Sequence, residues 1–176
     1  MPFSDSKIVI QSPIGPLALI IKQNLLTHVV YQGKEVSSLP FSHLLNANIE
    51  LIIAWFEQYF SNPCDMAKLN CNLEGTLFQK KVWRALLKIP VGQTLTYGEL
   101  AETLKTSPRA IGMACKSNPL PIVVPCHRVV AKNHLGGYCG SLYGDSMRQK
   151  HWLLEHERYH SGRAYHDDQI SMYPVF

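Results

Sequence analysis

Ile122-Val123-Val124-Pro125-Cys126-His127-Arg128-Val129-Val130 sets a cysteine between two short β-branched, strand-like stretches, with proline directly before it and histidine directly after. Cysteine is a strong side-chain nucleophile, but a free thiol with a pKa of about 8.5 is only about 3% thiolate at neutral pH. Such a residue needs a base, and His127 is the obvious candidate. In an extended segment, successive side chains point to opposite faces. Cys126 and His127 therefore meet only through a bend or a bridging water.

Upstream of this motif, Thr96-Tyr97-Gly98-Glu99 is a capping box that starts a short helix through Leu104. Lys105-Thr106 turns, Ser107 caps, and Pro108 opens a second helix to about Ser117. Leu100, Ala101, Leu104, Ile111 and Ala114 are the apolar positions of the two helices, the pattern of a helix-turn-helix or of an ordinary helical hairpin in a core. The second helix carries Arg109 and Lys116 beside small Ala110, Gly112 and Ala114, which would let it approach DNA closely. Before it, Thr76–Lys88 reads as an amphipathic helix with Phe78, Val82, Trp83, Leu86 and Leu87 inward. After the motif, Arg148–Tyr159 reads as a helix turning Trp152, Leu153 and His156 inward.

The first part of the chain has a different texture. Lys7–Gln11, Leu17–Lys22 and Leu25–Tyr31 read as a β-meander around Ser12-Pro13-Ile14-Gly15-Pro16 and Gln23-Asn24. Asn48–Phe60 reads as a helix with Leu51, Ile52, Trp55, Phe56 and Tyr59 on its apolar face. Polar Ser61–Asn72 is the expected linker. The expected division is therefore residues 1–72, an α/β structural domain; 73–160, mostly helical and carrying the motif; and a tail at 161–176.

Charge follows the same division. From Glu74 to Arg158 there are twelve Lys/Arg against six Asp/Glu, while the flanking segments are each net −1. A basic excess around the Cys-His motif points to a polyanionic partner. No stretch approaches the apolar length of a membrane span and no leader is evident, so no membrane association and an intracellular, cytoplasmic location (nuclear in a eukaryote) are expected. The five cysteines, Cys64, Cys71, Cys115, Cys126 and Cys139, have no CxxC spacing and suggest neither a disulfide framework nor a zinc knuckle. Apart from Cys126 they read as small buried or half-buried residues.

From Phe78 to Glu157 the chain resembles the O6-alkylguanine-DNA alkyltransferase family. The resemblance rests on Ile89-Pro90-Val91-Gly92-Gln93-Thr94, Thr96-Tyr97-Gly98-Glu99-Leu100-Ala101, Ser107-Pro108-Arg109-Ala110-Ile111-Gly112 and Ser117-Asn118-Pro119 through Pro125-Cys126-His127-Arg128-Val129. Gly136-Gly137-Tyr138-Cys139-Gly140 and Trp152-Leu153-Leu154-Glu155-His156-Glu157 complete it. It implies an α/β, two-domain fold with an RNase H-like sheet-plus-helix domain and a helix-turn-helix domain. It also implies irreversible, single-turnover transfer of an alkyl group from O6 of guanine in double-stranded DNA to Cys126. The flipped base would be reached through the minor groove by a monomer without cofactor.

By the same resemblance, His127 deprotonates the Cys126 thiol through a water, Glu157 orients His127, and Asn118 ties the helix-turn-helix to the active-site turn. Tyr97 rotates the 3′ phosphate and Arg109 fills the gap left by the base, on a helix whose Ala110, Gly112 and Lys116 face DNA. The carbonyls of Cys126 and Val129 receive the guanine amine, the Cys139 amide faces O6, and Tyr138 lines the pocket as a proton donor. Cys139 stands where the family commonly has serine, and the segment between Tyr138 and Trp152 is longer than in compact members. The resemblance leaves adduct size, O4-alkylthymine repair and cooperative binding along DNA open.

Some relatives hold a structural zinc in the first domain; His28, Cys64 and Cys71 do not reproduce that ligand set, so no metal is expected. A rival reading comes from His156-Glu157-Arg158-Tyr159-His160, which fits the HExxH zinc-hydrolase pattern. It sits at a helix end without a third ligand, and eight His and eight Glu make a chance match unremarkable. A second rival is a relative that only binds and flags damage; such proteins lack the nucleophile, and Cys126 is present. A generic cysteine hydrolase would need an oxyanion-hole signature that is missing here.

Overall fold

The computed structural model describes residues 6–31 and 47–162 of the chain. The chain divides into two units, Met1–Glu74 and Gly75–Phe176. Beyond Gly162, the expected tail lies outside the described residues.

In the first unit, β1 (Ser6–Ile10), β2 (Leu17–Lys22) and β3 (Leu25–Tyr31) form an antiparallel meander with β2 central. Ile8 pairs with Leu19, and Leu19 with Val29, so the buried apolar side chains share one face. Helix α1 (Ala47–Ser61) buries Ile49, Ile52, Phe56 and Tyr59 at helical spacing. Leu51, expected on that face, is 66% exposed, and Trp55 is half-buried, its indole donating to the Ala67 carbonyl at 2.8 Å. The segment after α1 is not a free linker. Cys71 bridges to Leu26, and the Asn72 amide donates to the Leu26 carbonyl at 3.0 Å.

The second unit opens with α2 (Leu77–Leu86), started by a reciprocal capping box between Thr76 and Gln79. Val82, Trp83 and Leu86 are buried, and the Trp83 indole donates to the Ala114 carbonyl at 2.9 Å. Truncating a buried Trp costs about 3–5 kcal/mol, so this one residue anchors the domain. Phe78 and Leu87, expected inward, are 38% and 48% exposed. Phe78 sits in the first turn, and Leu87 is the C-cap beyond the apolar stripe.

Strand β4 (Leu95–Thr96) leads into α3 (Tyr97–Leu104), whose capping box joins Thr96 and Glu99. Lys105 closes α3 in the left-handed region at φ 53°. Helix α4 (Pro108–Lys116) starts with Ser107 accepting from the Ala110 amide and Pro108 in the first turn. The pair α3–α4 is the expected helical hairpin. Around the motif the structure departs from the sequence reading. Residues 121–124 form a turn rather than a strand, Cys126–Arg128 is one 3₁₀ turn, and only Val129–Val130 (β5) is extended, pairing parallel with β4. The bend needed at the thiol is thus built into the backbone. Buried Ile122 has φ 75°, a conformation costly for a β-branched residue.

Helix α5 (Asp145–His160) begins before the expected Arg148. Its buried residues are Lys150, Leu153, Leu154 and Glu157, an i, i+3, i+4, i+7 stripe of which half is charged. Trp152 and His156, expected inward, are half-buried and stack on each other with ring centroids 4.6 Å apart. No described helix is long and apolar enough to cross a membrane.

Candidate active site

Cys126 is 3% exposed in its 3₁₀ turn, at the wall of a cavity of about 650 Å³. Asn118, just past α4, organises this turn with its whole amide. Its Oδ1 accepts from the Leu120 amide at 3.0 Å, and its Nδ2 donates to the Val124 carbonyl at 2.8 Å and to Cys126 Sγ at 3.1 Å. The side chain therefore ties residues 118–126 together and places a donor on the nucleophile. Burial pushes the Cys126 thiol pKa up; the Asn118 hydrogen bond and the Lys150 charge pull against that.

The two residues after the thiol belong to a buried ion network. His127 Nε2 donates to Glu157 Oε1 at 2.8 Å. Arg128 grips the same carboxylate, with Nε on Oε2 and Nη2 on Oε1, both at 2.8 Å, while its Nη1 donates to the Ile89 carbonyl at 2.6 Å. Burial alone would raise the Glu157 pKa, but His127 and Arg128 outweigh it and hold the carboxyl well below the usual range. For His127, burial lowers the pKa more than Glu157 raises it, which favours the neutral ring. With Nε2 as donor to the carboxylate, Nδ1 carries the lone pair. That atom is buried and makes no hydrogen bond to protein. It is a base without an assigned proton source.

Lys150 is the second buried cation, at 0% exposure. Its ammonium donates to the carbonyls of Val129 (2.7 Å), Leu135 (2.6 Å) and Gly137 (3.0 Å), which uses all three protons. It also lies 5.9 Å from the Tyr97 ring centroid, a cation–π distance. Burial draws its pKa down to about 8, while ionised Cys126, Cys115 or Cys139 would raise it. One ammonium thus fixes the β5 strand and the 135–137 loop and favours a thiolate nearby.

The cavity takes in Tyr97, Gly112, Lys116, Cys126, Tyr138 and Cys139 from the expected set, along with Cys115 and Leu142. Tyr97 donates to the Gly137 carbonyl at 3.3 Å, and burial raises its phenol pKa. Its ring packs on Gly136 so closely that a β-carbon there would lie 2.8 Å from Cε2, and Gly136 also needs φ 69°. Tyr138 is 3% exposed, whereas Cys139, expected to be buried or half-buried, is exposed at φ 48°. The Val129 carbonyl, expected to receive a guanine amine, is already engaged by Lys150.

Arg109 and Ala110 lie outside the cavity, on the outer first turn of α4, Arg109 exposed and Ala110 half-buried. A β-carbon on Gly112 would meet nothing within 4 Å, so its smallness is not required by the chain's own packing. Among the described residues, no group of three or more His, Cys, Asp or Glu is placed to hold a metal. Glu157, the glutamate of the HExxH pattern, is committed to His127 and Arg128. Arg128 and Lys150 are the site residues that sequence reasoning missed. The signal for Arg128 was a charge enclosed by β-branched residues on both sides; for Lys150 it was its place three and four residues before the buried pair Leu153-Leu154.

Residues 77–159 match the family model described as 6-O-methylguanine DNA methyltransferase, DNA binding domain. The methylated-DNA–protein-cysteine methyltransferase of Mycobacterium leprae is 37% identical over 157 residues, 84% of this chain and 89% of that protein. This chain belongs to the methylated-DNA–protein-cysteine methyltransferase family. The Methanocaldococcus jannaschii methyltransferase is 46% identical over 129 residues, covering 72% of this chain and 71% of its own. The crystal structure of Mycobacterium tuberculosis O6-methylguanine methyltransferase superposes with a TM-score of 0.74 at 31% identity, over 93% of this chain and 97% of that one. Mycobacterium tuberculosis OGT in complex with DNA matches with a TM-score of 0.70 at 33% identity, over 88% and 93%. The α/β fold with a separate helical domain is that of these methyltransferases.

Proposed function

We propose that this methyltransferase repairs duplex DNA by moving the alkyl group of an O6-alkylguanine irreversibly onto Cys126 Sγ. The observation that carries the reading is the thiol at the wall of a cavity large enough to admit a base, held by Asn118 and backed by His127 and Glu157. The lesion is inside the stack, so the nucleotide must be flipped out, at a cost of a few kcal/mol. Exposed Arg109 fills the vacated space while Ala110, Gly112 and Lys116 of α4 meet the minor groove. Tyr97 turns the 3′ phosphate, and the cavity takes the base.

In the chemical step the thiol proton passes through one water to His127 Nδ1, the lone-pair nitrogen. Glu157 stabilises the imidazolium through the Nε2 hydrogen bond. The sulfur then attacks the alkyl carbon in line, the carbon–O6 bond breaks, and its electrons stay on the purine oxygen. The Cys139 amide and Tyr138 stabilise that charge, with Tyr138 the proton donor. Arg128 and Lys150 act as positioning residues, one fixing Glu157 and the other fixing the Val129 and Gly137 backbone. The product is a thioether, a poor electrophile, so each molecule reacts once. The protein works as a monomer, without cofactor, inside the cell.

Titrating an O6-methylguanine duplex against the protein tests this reading. Repair should stop at one lesion per molecule, and Cys126→Ser should bind the duplex without repairing it. Continued turnover, or repair by Cys126→Ser, would overturn it.

A further inference from the structure

Three of the five thiols, Cys115, Cys126 and Cys139, line one cavity. Alkyl transfer uses only Cys126. Cys115 is buried and fixed on α4. Cys139 differs in both respects. It is exposed, and it sits in the turn where Tyr138 and Ser141 exchange backbone hydrogen bonds of 2.9 Å. Cys139 thus lies in a loop, whereas Cys115 lies within a helix. Cys126 and Cys139 line the same cavity, the first buried and the second exposed to solvent.

We propose that Cys139 is a resolving cysteine, which traps a hydroperoxide-oxidised Cys126 as a reversible Cys126–Cys139 disulfide. The inference rests on Cys126 being the activated thiol of the reading above. The same His127 base that prepares it for an alkyl carbon prepares it for a peroxide oxygen. In the first step, Cys126 thiolate attacks one oxygen of hydrogen peroxide. The oxygen–oxygen bond breaks, hydroxide leaves, and Cys126 becomes a sulfenic acid. In the second step, the Cys139 sulfur attacks the Cys126 sulfur and the sulfenic oxygen leaves as water. Overall, two thiols and one peroxide give one disulfide and two waters. A sulfenic acid without such a partner goes on to sulfinic acid, which thiols do not reverse. For a protein that is consumed by a single reaction, the disulfide preserves the acceptor while blocking the cavity.

The test uses the full chain, without DNA, exposed to a small excess of hydrogen peroxide. Free thiols are then blocked, and non-reduced peptides are mapped by mass. A peptide joining Cys126 to Cys139 is expected, in the native chain and equally in Cys115→Ser. Methyl transfer, measured afterwards and scaled to each protein's own untreated rate, should be lost and then largely restored by dithiothreitol. In Cys139→Ser the loss should be the same but the restoration at least about tenfold smaller, with sulfinic acid at Cys126. A Cys126–Cys115 link, sulfinic acid at Cys126 in the native chain, or equal restoration in Cys139→Ser would overturn the proposal. Because the peptide map is made without DNA, these outcomes are distinct from a failure of Cys126 to accept methyl from O6-methylguanine.

Discussion

Replacing Glu157 by Gln tests the base assembly behind the thiol. Both carboxylate oxygens are occupied: Oε1 accepts from His127 Nε2 and Arg128 Nη2, and Oε2 from Arg128 Nε. An amide supplies one acceptor oxygen. In either orientation its NH₂ faces a donor of Arg128, and in one orientation it faces His127 as well. The substitution therefore strands part of a buried guanidinium and removes the charge that stabilises an imidazolium. Hydrogen bonds to charged groups contribute about 1.5–3 kcal/mol, so a stability loss of about 2–3 kcal/mol is expected. General-base catalysis contributes about 10²–10⁴ in rate, so transfer should slow by at least about 10²-fold, or about 2.7 kcal/mol of barrier. Glu157 is fully buried and does not line the cavity, so DNA affinity should change by less than about twofold. The assay is single-turnover transfer from an O6-methylguanine duplex with protein in excess, beside a binding titration. A transfer rate within about threefold of the native chain, in a folded variant, would refute the role. The same group has a pH signature. Its folded pKa lies below the unfolded value of about 4.3, so the stability it contributes is complete above that value and is lost as pH falls below it. Glu157→Gln should flatten that acid limb.

Lys150 should show the opposite limb: with its pKa lowered to about 8, the unfolded chain binds the extra proton at higher pH, so stability should rise from about pH 8 towards 10.4. Denaturant melts of Lys150→Met across that range should lose the rise, and a rise of the same size in the variant would contradict the assignment. In Gly112→Leu the added β-carbon meets nothing within 4 Å and helix propensity improves, so the fold should be kept, yet duplex binding should weaken by about tenfold or more, or about 1.4 kcal/mol. Unchanged binding would mean that this face of α4 does not meet DNA. Arg109→Ala should slow repair of the duplex lesion but leave the reaction of Cys126 with free O6-benzylguanine intact; equal losses on both substrates would sink its role in base flipping.

Local chemistry carried most of what could be read in advance. Thr96 to Glu99 and Ser107-Pro108 mark helix starts because their hydrogen bonds close within four residues, and the structure has both. The bend at Cys126 was harder, because Ile122-Val123-Val124 has strand chemistry while Asn118, through three side-chain hydrogen bonds, folds it into a turn. Lys150 and Glu157 were on the buried stripe of α5, where apolar periodicity treats charge as a mark of solvent. Their partners, Val129, Leu135, His127 and Arg128, are distant in sequence. The resemblance supplied Glu157 but not Lys150 or the grip of Arg128. Leu51, Phe78 and Leu87 erred the other way, apolar residues that the helices leave exposed.

The most direct test of the central claim is intact mass after incubation with a duplex bearing one O6-methylguanine, followed by peptide mapping. One added methyl per molecule is expected, on Cys126, with saturation there. Binding without any mass gain would mean a protein that recognises damage but does not repair it. A methyl on Cys115 or Cys139 instead would place the nucleophile elsewhere in the cavity and contradict the account.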